Sequence, residues 1–232
     1  MIKVLDHGYV NYIGHYGSEE EIIAAARMST QKGFQGWGSS EKPGDEKLLR
    51  YLWTHGHTSP FEMAGLHVEV QCPIFVARQI FRHRTFSYNE ASARYAPLPE
   101  LDYLPTVERL MMQSKVGNTQ TGAMKGAKAL NEVFASAWQE LLRFNLIDSR
   151  RLYAAGLAAG IPQELARGAL TVNAYTRFRM MGNLKNWTDL LRKRLPGDAQ
   201  WETRQFSEAI LTIATEHFPR TGALFAESRA HA

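Results

Sequence analysis

Two segments of strict alternation govern what this chain can fold into. In the first, Leu66, Val68 and Val70 alternate with His67, Glu69 and Gln71. In the second, residues 172–181, Thr176, Phe178 and Met180 stand opposite Tyr175, Arg177 and Arg179. A period of two sends alternate side chains to opposite faces, so both segments are expected to be half-buried strands. Weaker alternation over residues 2–13, around Asp6-His7-Gly8, suggests an earlier strand or two. Pro73 closes the first segment and starts a helix on Ile74, Phe75, Ala77, Ile80 and Phe81, with Arg78, Gln79 and Arg82 on its other sides.

Most of the remainder is helical in pattern. Ser18 and Glu21 form a capping box ahead of Ile22, Ile23, Ala25 and Ala26, giving a helix to about residue 29. Asp45 is expected to cap a helix that shows Leu48, Leu49, Leu52 and Trp53 on one face and stops at Gly56. A long helical region is expected from about residue 119, running on Leu130, Val133, Phe134, Ala137, Trp138, Leu141 and Leu142, which repeat at spacings of three and one. Pro162 in a first turn opens another helix at Ile161-Pro162-Gln163-Glu164. Residues 184–195 form a short helix stopped by Pro196-Gly197, and the last helix uses Trp201, Phe206, Ala209, Ile210, Ile213 and Ala214. Residues 31–44 are glycine-rich and polar and read as a mobile loop; their glycines have the wrong order for a dinucleotide fingerprint. With no repeat and no linker, the pattern predicts one α+β domain over residues 1–232, a small, mainly antiparallel sheet packed with several long helices.

Charge narrows the partners. The 232 residues carry 27 Lys and Arg against 23 Asp and Glu, a net charge of +4. That excess suits an anionic small molecule and does not call for a nucleic acid. The single cysteine, Cys72, excludes an internal disulfide and fits a reducing compartment. There is no secretory start, and no run nears the roughly 20 apolar residues needed to span a bilayer. A cytoplasmic protein without a membrane partner is expected.

Residues 82–95 hold three arginines, a histidine, a glutamate, an asparagine, two serines and two tyrosines, and almost nothing suited to a core. Arginine presents a rigid fork of donors that matches phosphate and carboxylate oxygens, and serine hydroxyls add donors beside it. A solvated basic loop is the plain alternative, but Asn89 and Glu90 interrupt the run, and a purely electrostatic patch would not want an acid there. The histidines at 55 and 57 invite a metal, yet no cysteine or carboxylate completes a tetrahedral set at a familiar zinc spacing.

The spacing Arg82-His83-Arg84, seven residues, then Ser92 resembles the signature of the flavin-dependent thymidylate synthases, and Asn89, Glu90, Arg94 and Tyr95 extend the match. The resemblance continues in Ala26-Arg27-Met28-Ser29, His55 to Glu62, Glu164 to Arg167, Asn173 to Phe178, Gly182 to Lys185, Leu190 to Arg194 and Asp198 to Glu202. It implies reductive methylation of dUMP to dTMP, with methylenetetrahydrofolate as carbon donor, NADPH as reductant and FAD as bound cofactor. By the same resemblance His57 lies beside the flavin ring, and Ser29, Ser59, Arg82, His83, Arg84, Glu90, Asn183, Lys185 and Asp189 bind the cofactor. Many members carry asparagine at the place of Asp189, and a carboxylate cannot donate as an amide does. The nucleotide falls to Gln79, Arg82, Glu90, Ala91, Ser92, Arg94, Arg167 and Arg194, with main-chain amides near Ala91 and Ser92 on the phosphate and Arg167 reaching across a subunit interface. Arg194 would stabilise negative charge on the uracil ring, and no metal is implied. Family members are homotetramers that share sites between subunits. The lone cysteine sits between a strand and Pro73 with no base adjacent in sequence, consistent with chemistry handed to a cofactor. Two rivals remain: a nucleic-acid module stacking bases on Phe86, Tyr88 and Tyr95, and a flavoprotein of other activity.

Overall fold

The computed structural model describes residues 1–39, 41–96, 98–112 and 130–230. Strands β1 (Ile2–Val4), β2 (Gly8–Tyr16), β3 (Gly65–Pro73), β4 (Ser87–Glu90) and β5 (Tyr175–Asn183) form one sheet in the order β1-β2-β3-β5-β4. Every pairing is antiparallel. The two alternating segments are each other's neighbours: Val68 lies opposite Met180 and Val70 opposite Phe178. Their polar faces also match, with Glu69 opposite Arg179 and an ion pair of 3.2 Å between them.

The helices are α1 (Glu19–Ala26), α2 (Gly44–Thr54), α3 (Ile74–Ile80), α4 (Val107–Met111), α5 (Glu132–Ala158), α6 (Gln163–Ala166), α7 (Leu184–Arg194), α8 (Trp201–His217) and α9 (Pro219–Ala230). Helices α3, α7 and α8 cover one face of the sheet. Trp187, Leu190, Phe206, Ile210 and Ile213 pack there on Leu66, Val68, Val70, Phe178 and Met180. Each such side chain withdrawn from water contributes about 1.5–3 kcal/mol. A second cluster joins Ile22 and Ile23 of α1 to Leu49 and Leu52 of α2, Phe61 and Leu184. It fixes the turn that carries His57 against the start of α7.

Several expectations need correction. Asp45 does not cap α2: Pro43 holds that position, and Asp45 lies in the first turn, fully buried. Its carboxylate turns back to accept from Arg27 and from the Gln35 amide at 2.6 Å, which folds the glycine-rich segment onto α1 and α2. Helix α1 ends at Ala26 and Ser29 lies in a separate 3-10 turn, Met28–Thr30. The apolar repeat of the long helix faces outward, with Val133 76%, Phe134 65% and Leu141 68% exposed, while Ala135, Leu146 and Tyr153 are its buried residues. The expected start of that helix, 119–129, lies outside the described residues. Helix α6 is one turn long, and α8 is followed by α9, which the sequence reading omitted.

Candidate active site

The basic motif is a turn between α3 and edge strand β4, and aromatic side chains anchor it. Phe86 is buried edge-on against Trp187 at 4.6 Å, and Phe81 meets both Tyr88 and Phe178 at 4.8 Å. The Tyr88 hydroxyl is shared between the carbonyls of Ile80 at 3.0 Å and His83 at 2.9 Å, which pins the turn from below. Burial pushes its phenol well up, so it stays a donor. Gly182 is required beneath: a Cβ there would lie 2.5 Å from the Phe86 ring. The run therefore does contribute to the core, through Phe86 and Tyr88. Arg82 and Arg84 are left exposed, with no ion-pair partner among the described residues.

His83 points the other way and is half-buried. Arg194, in the last turn of α7, donates from Nε to His83 Nε2 at 3.1 Å and from Nη2 to the Gln79 carbonyl at 3.0 Å. Arginine has no acceptor, so His83 Nε2 must be unprotonated. Burial first, then the Arg194 and Lys193 charges, push the imidazole down to about 4, against a smaller opposing effect of Asp189. The Gln79 side chain is held as well, donating from Nε2 to Gln200 Oε1 and accepting from the Thr203 hydroxyl at 3.1 Å.

Beside this turn lies a cavity of about 470 Å3, lined by Arg78, Glu90, Ala91, Ser92, Arg167 and Thr176 among others. That size falls in the ~300–1,000 Å3 range of small-molecule sites. Glu90 accepts from the Thr176 hydroxyl at 2.7 Å. The Ala91 amide is already donated to the Arg177 carbonyl at 2.8 Å, so it belongs to the sheet and is not free for a phosphate. Ser92 Oγ accepts from the Arg94 amide at 3.3 Å. Arg94 pairs with Glu164 at 3.3 Å, and Arg167 Nε donates to the Glu164 carbonyl at 3.2 Å. Arg167 thus lines the cavity within its own chain. Arg78 lines it too, a residue the sequence reading set aside; its place one turn after Ile74, another lining residue, was the available signal.

Part of the set expected around a flavin, His57, Ser59, Asn183 and Lys185, lies toward the other end of α7, whereas Arg82, His83, Arg84 and Glu90 belong to the basic turn and β4. Gly56, at φ +67, ends α2 and turns the chain so that His57 is exposed. Tyr51 stacks on His55 at 4.0 Å and lies 5.7 Å from the His57 ring. Ser59 opens a 3-10 turn as an exposed residue, but Thr58 holds the cap position and neither side chain makes a capping bond. Asn183 caps α7, accepting from the Asn186 amide at 2.9 Å. Lys185 pairs with Glu62 at 3.7 Å. Asp189, Lys185, Thr58 and Gly56 line a recess of only about 30 Å3. Ser29, exposed beyond α1, does not line that recess.

A family model described as thymidylate synthase complementing protein matches residues 11–220. The flavin-dependent thymidylate synthase of Thermus thermophilus is 40% identical over 226 residues, which cover 97% of this chain and 78% of that protein. That of Anaplasma marginale is 38% identical over 226 residues, 97% and 74% of the two chains. The chain belongs to the flavin-dependent thymidylate synthase family. Among solved structures, a UMP/dUMP methylase, PolB from Streptomyces cacaoi, crystallised with 5-Br dUMP, superposes with a TM-score of 0.82 at 26% identity over 97% of each chain. The same methylase with 5-Br UMP gives 0.78. Members of the flavin-dependent thymidylate synthase family are methyltransferases, and the expected family, enzyme class and α+β fold are borne out.

Proposed function

We propose that this chain methylates dUMP to dTMP with methylenetetrahydrofolate as carbon donor, NADPH as reductant and FAD as cofactor. The observation that carries the reading is the convergence of Arg194, His83 and Gln79 in one hydrogen-bonded group at the end of α3, the helix whose Arg78 lines a basic cavity of small-molecule size. Cys72 supports it from the other side. The thiol is fully buried under the sheet, and burial, with the Glu90 charge, raises its pKa well above the ordinary value, so it cannot serve as nucleophile.

The donor set fits a flavin dinucleotide. Arg82, Arg84 and Ser29 offer exposed cationic and hydroxyl donors to its phosphates, and His57 with Tyr51 offers aromatic surface to its ring. Arg82, His83, Arg84, Glu90, Ser59, Asn183, Lys185 and Asp189 complete the set. When bound and reduced, the flavin supplies the hydride that the methylation requires. The protein contributes alignment and charge. Ser92, Arg94 and Arg167 hold the nucleotide phosphate, with Arg78 added beside them, while Gln79 and Glu90 orient the nucleoside. Arg194 cannot lose its proton and has two donors committed to His83 and Gln79, so the rest of its fork meets negative charge developing on the pyrimidine.

The working unit is a homotetramer. The exposed apolar face of α5 suits burial against another subunit. Residues of neighbouring subunits would complete the flavin site beside Gly56, Thr58, Lys185 and Asp189. A cytoplasmic setting accords with the single buried cysteine.

The test is dTMP formation by purified protein given FAD, NADPH, methylenetetrahydrofolate and dUMP, beside Cys72→Ala. Product from both proteins is expected. Product lost in the variant alone would mean a cysteine mechanism, and none from either, with flavin bound, would mean a different substrate.

A further inference from the structure

Glu202 is a buried carboxylate that the reaction above does not use. It lies in the first turn of α8 and is 3% exposed. Its oxygens accept from Arg109 Nε at 2.7 Å and Nη2 at 3.3 Å, from the Tyr103 hydroxyl at 3.1 Å and from Gln200 Nε2 at 3.0 Å. Burial alone would raise its pKa, but the Arg109 hydrogen bond and charge outweigh it and hold the carboxyl below the usual range. It is therefore an ionised group that can only accept.

That polarity passes along the row. Gln200 must present its NH2 to Glu202, which turns its carbonyl Oε1 toward Gln79. Gln79 must answer with its own NH2, which turns Oε1 toward the Thr203 hydroxyl, 3.1 Å away. The reversed Gln79 amide would set two carbonyl oxygens against each other in a half-buried place, replacing a hydrogen bond by a repulsive contact. The Gln79 carbonyl of the main chain takes Arg194 Nη2, so the row ends on the group that carries the proposed chemistry.

We propose that Glu202 and Gln200 are positioning residues for the nucleotide, fixing the Gln79 carboxamide so that its second N–H meets an acceptor oxygen of a pyrimidine nucleotide. The inference rests on the reading of Gln79 as a nucleotide ligand. It also gives a role to a buried acid and a half-buried amide that are not among the residues lining the cavity.

Gln200→Leu tests it, because it breaks the row while leaving Glu202 its Arg109 and Tyr103 partners. Calorimetric titration of dUMP into flavin-loaded protein is read beside kcat and KM. Kd and KM are expected to rise together about three- to tenfold, the size of one neutral hydrogen bond, with kcat within about twofold. Glu202→Gln, isosteric but able to turn either way, should give the same split, and it serves if the first variant fails to fold. In a Gln79→Ala background, Gln200→Leu should add nothing. An equal loss in that background, or a lower Tm with unchanged dUMP affinity, would overturn the inference and leave the row a scaffold. Wild-type protein that binds no dUMP would overturn the functional reading and this inference together. Wild-type protein that binds it while both row variants match its affinity would overturn the inference alone.

Discussion

Burial and two neighbouring cations hold the His83 imidazole down to about 4, against 6.5 for the free group. As pH falls, the unfolded chain protonates this ring first, so the linked stability is complete above about 6.5 and is lost down toward 4. Tm of the wild type should therefore fall faster than that of His83→Gln across this window, and parallel curves would mean that His83 is not held neutral. Arg194→Ala should cut kcat by about a hundredfold, the scale of a lost preorganised donor, while flavin absorbance stays bound; near-normal turnover would remove Arg194 from the chemistry. Arg94→Ala and Arg167→Ala should each raise the KM for dUMP about tenfold, as a lost charge-assisted hydrogen bond does, with flavin retained. Unchanged KM in both would sink those assignments. Arg94 was legible within residues 82–95, where arginine forks crowd a run with little suited to a core, whereas Arg167 and Arg194 stood out only through the family resemblance. Arg78 was not legible as a lining residue, because a single polar residue on an amphipathic helix reads as its solvated side, and Asp198 to Glu202 stood out only as part of the family match, with no role attached to Gln200 or Glu202.

At the scale of elements, periodicity told where apolar faces exist but not what covers them. The α5 stripe has the period of a core helix, yet Trp138 and Leu141 are exposed within the chain. Trp138→Glu with Leu141→Glu should dissociate the tetramer in sedimentation velocity while circular dichroism keeps its helical signal, since exposed positions cost the monomer less than about 0.5 kcal/mol each. A tetramer that survives both charges would place the interface elsewhere. Asp45 shows the opposite error. A capping residue was expected at the head of α2, but tertiary partners, Arg27 and the Gln35 amide, recruit the carboxylate instead. Strand β4 escaped notice for a related reason: with four residues it shows too little alternation to stand out from a polar turn, and its pairing with β5 defines it.

For the whole molecule, the proposed sharing of the flavin site between subunits would tie flavin retention to assembly. Dilution that dissociates the tetramer should release flavin in step, seen as a rise in free flavin fluorescence, and flavin held by monomers would contradict the shared site. The sequence by itself determined the two central strands, most of the helices, the absence of an internal disulfide and the family motif, since each depends on local period or on a count. Only the tertiary structure decided that β3 and β5 are partners, that His83 and Arg194, 111 residues apart, share a hydrogen bond, and that Arg167 reaches the cavity of its own chain. Those facts depend on distances between segments remote in sequence, which packing of the sheet against α3, α7 and α8 sets and no local pattern encodes.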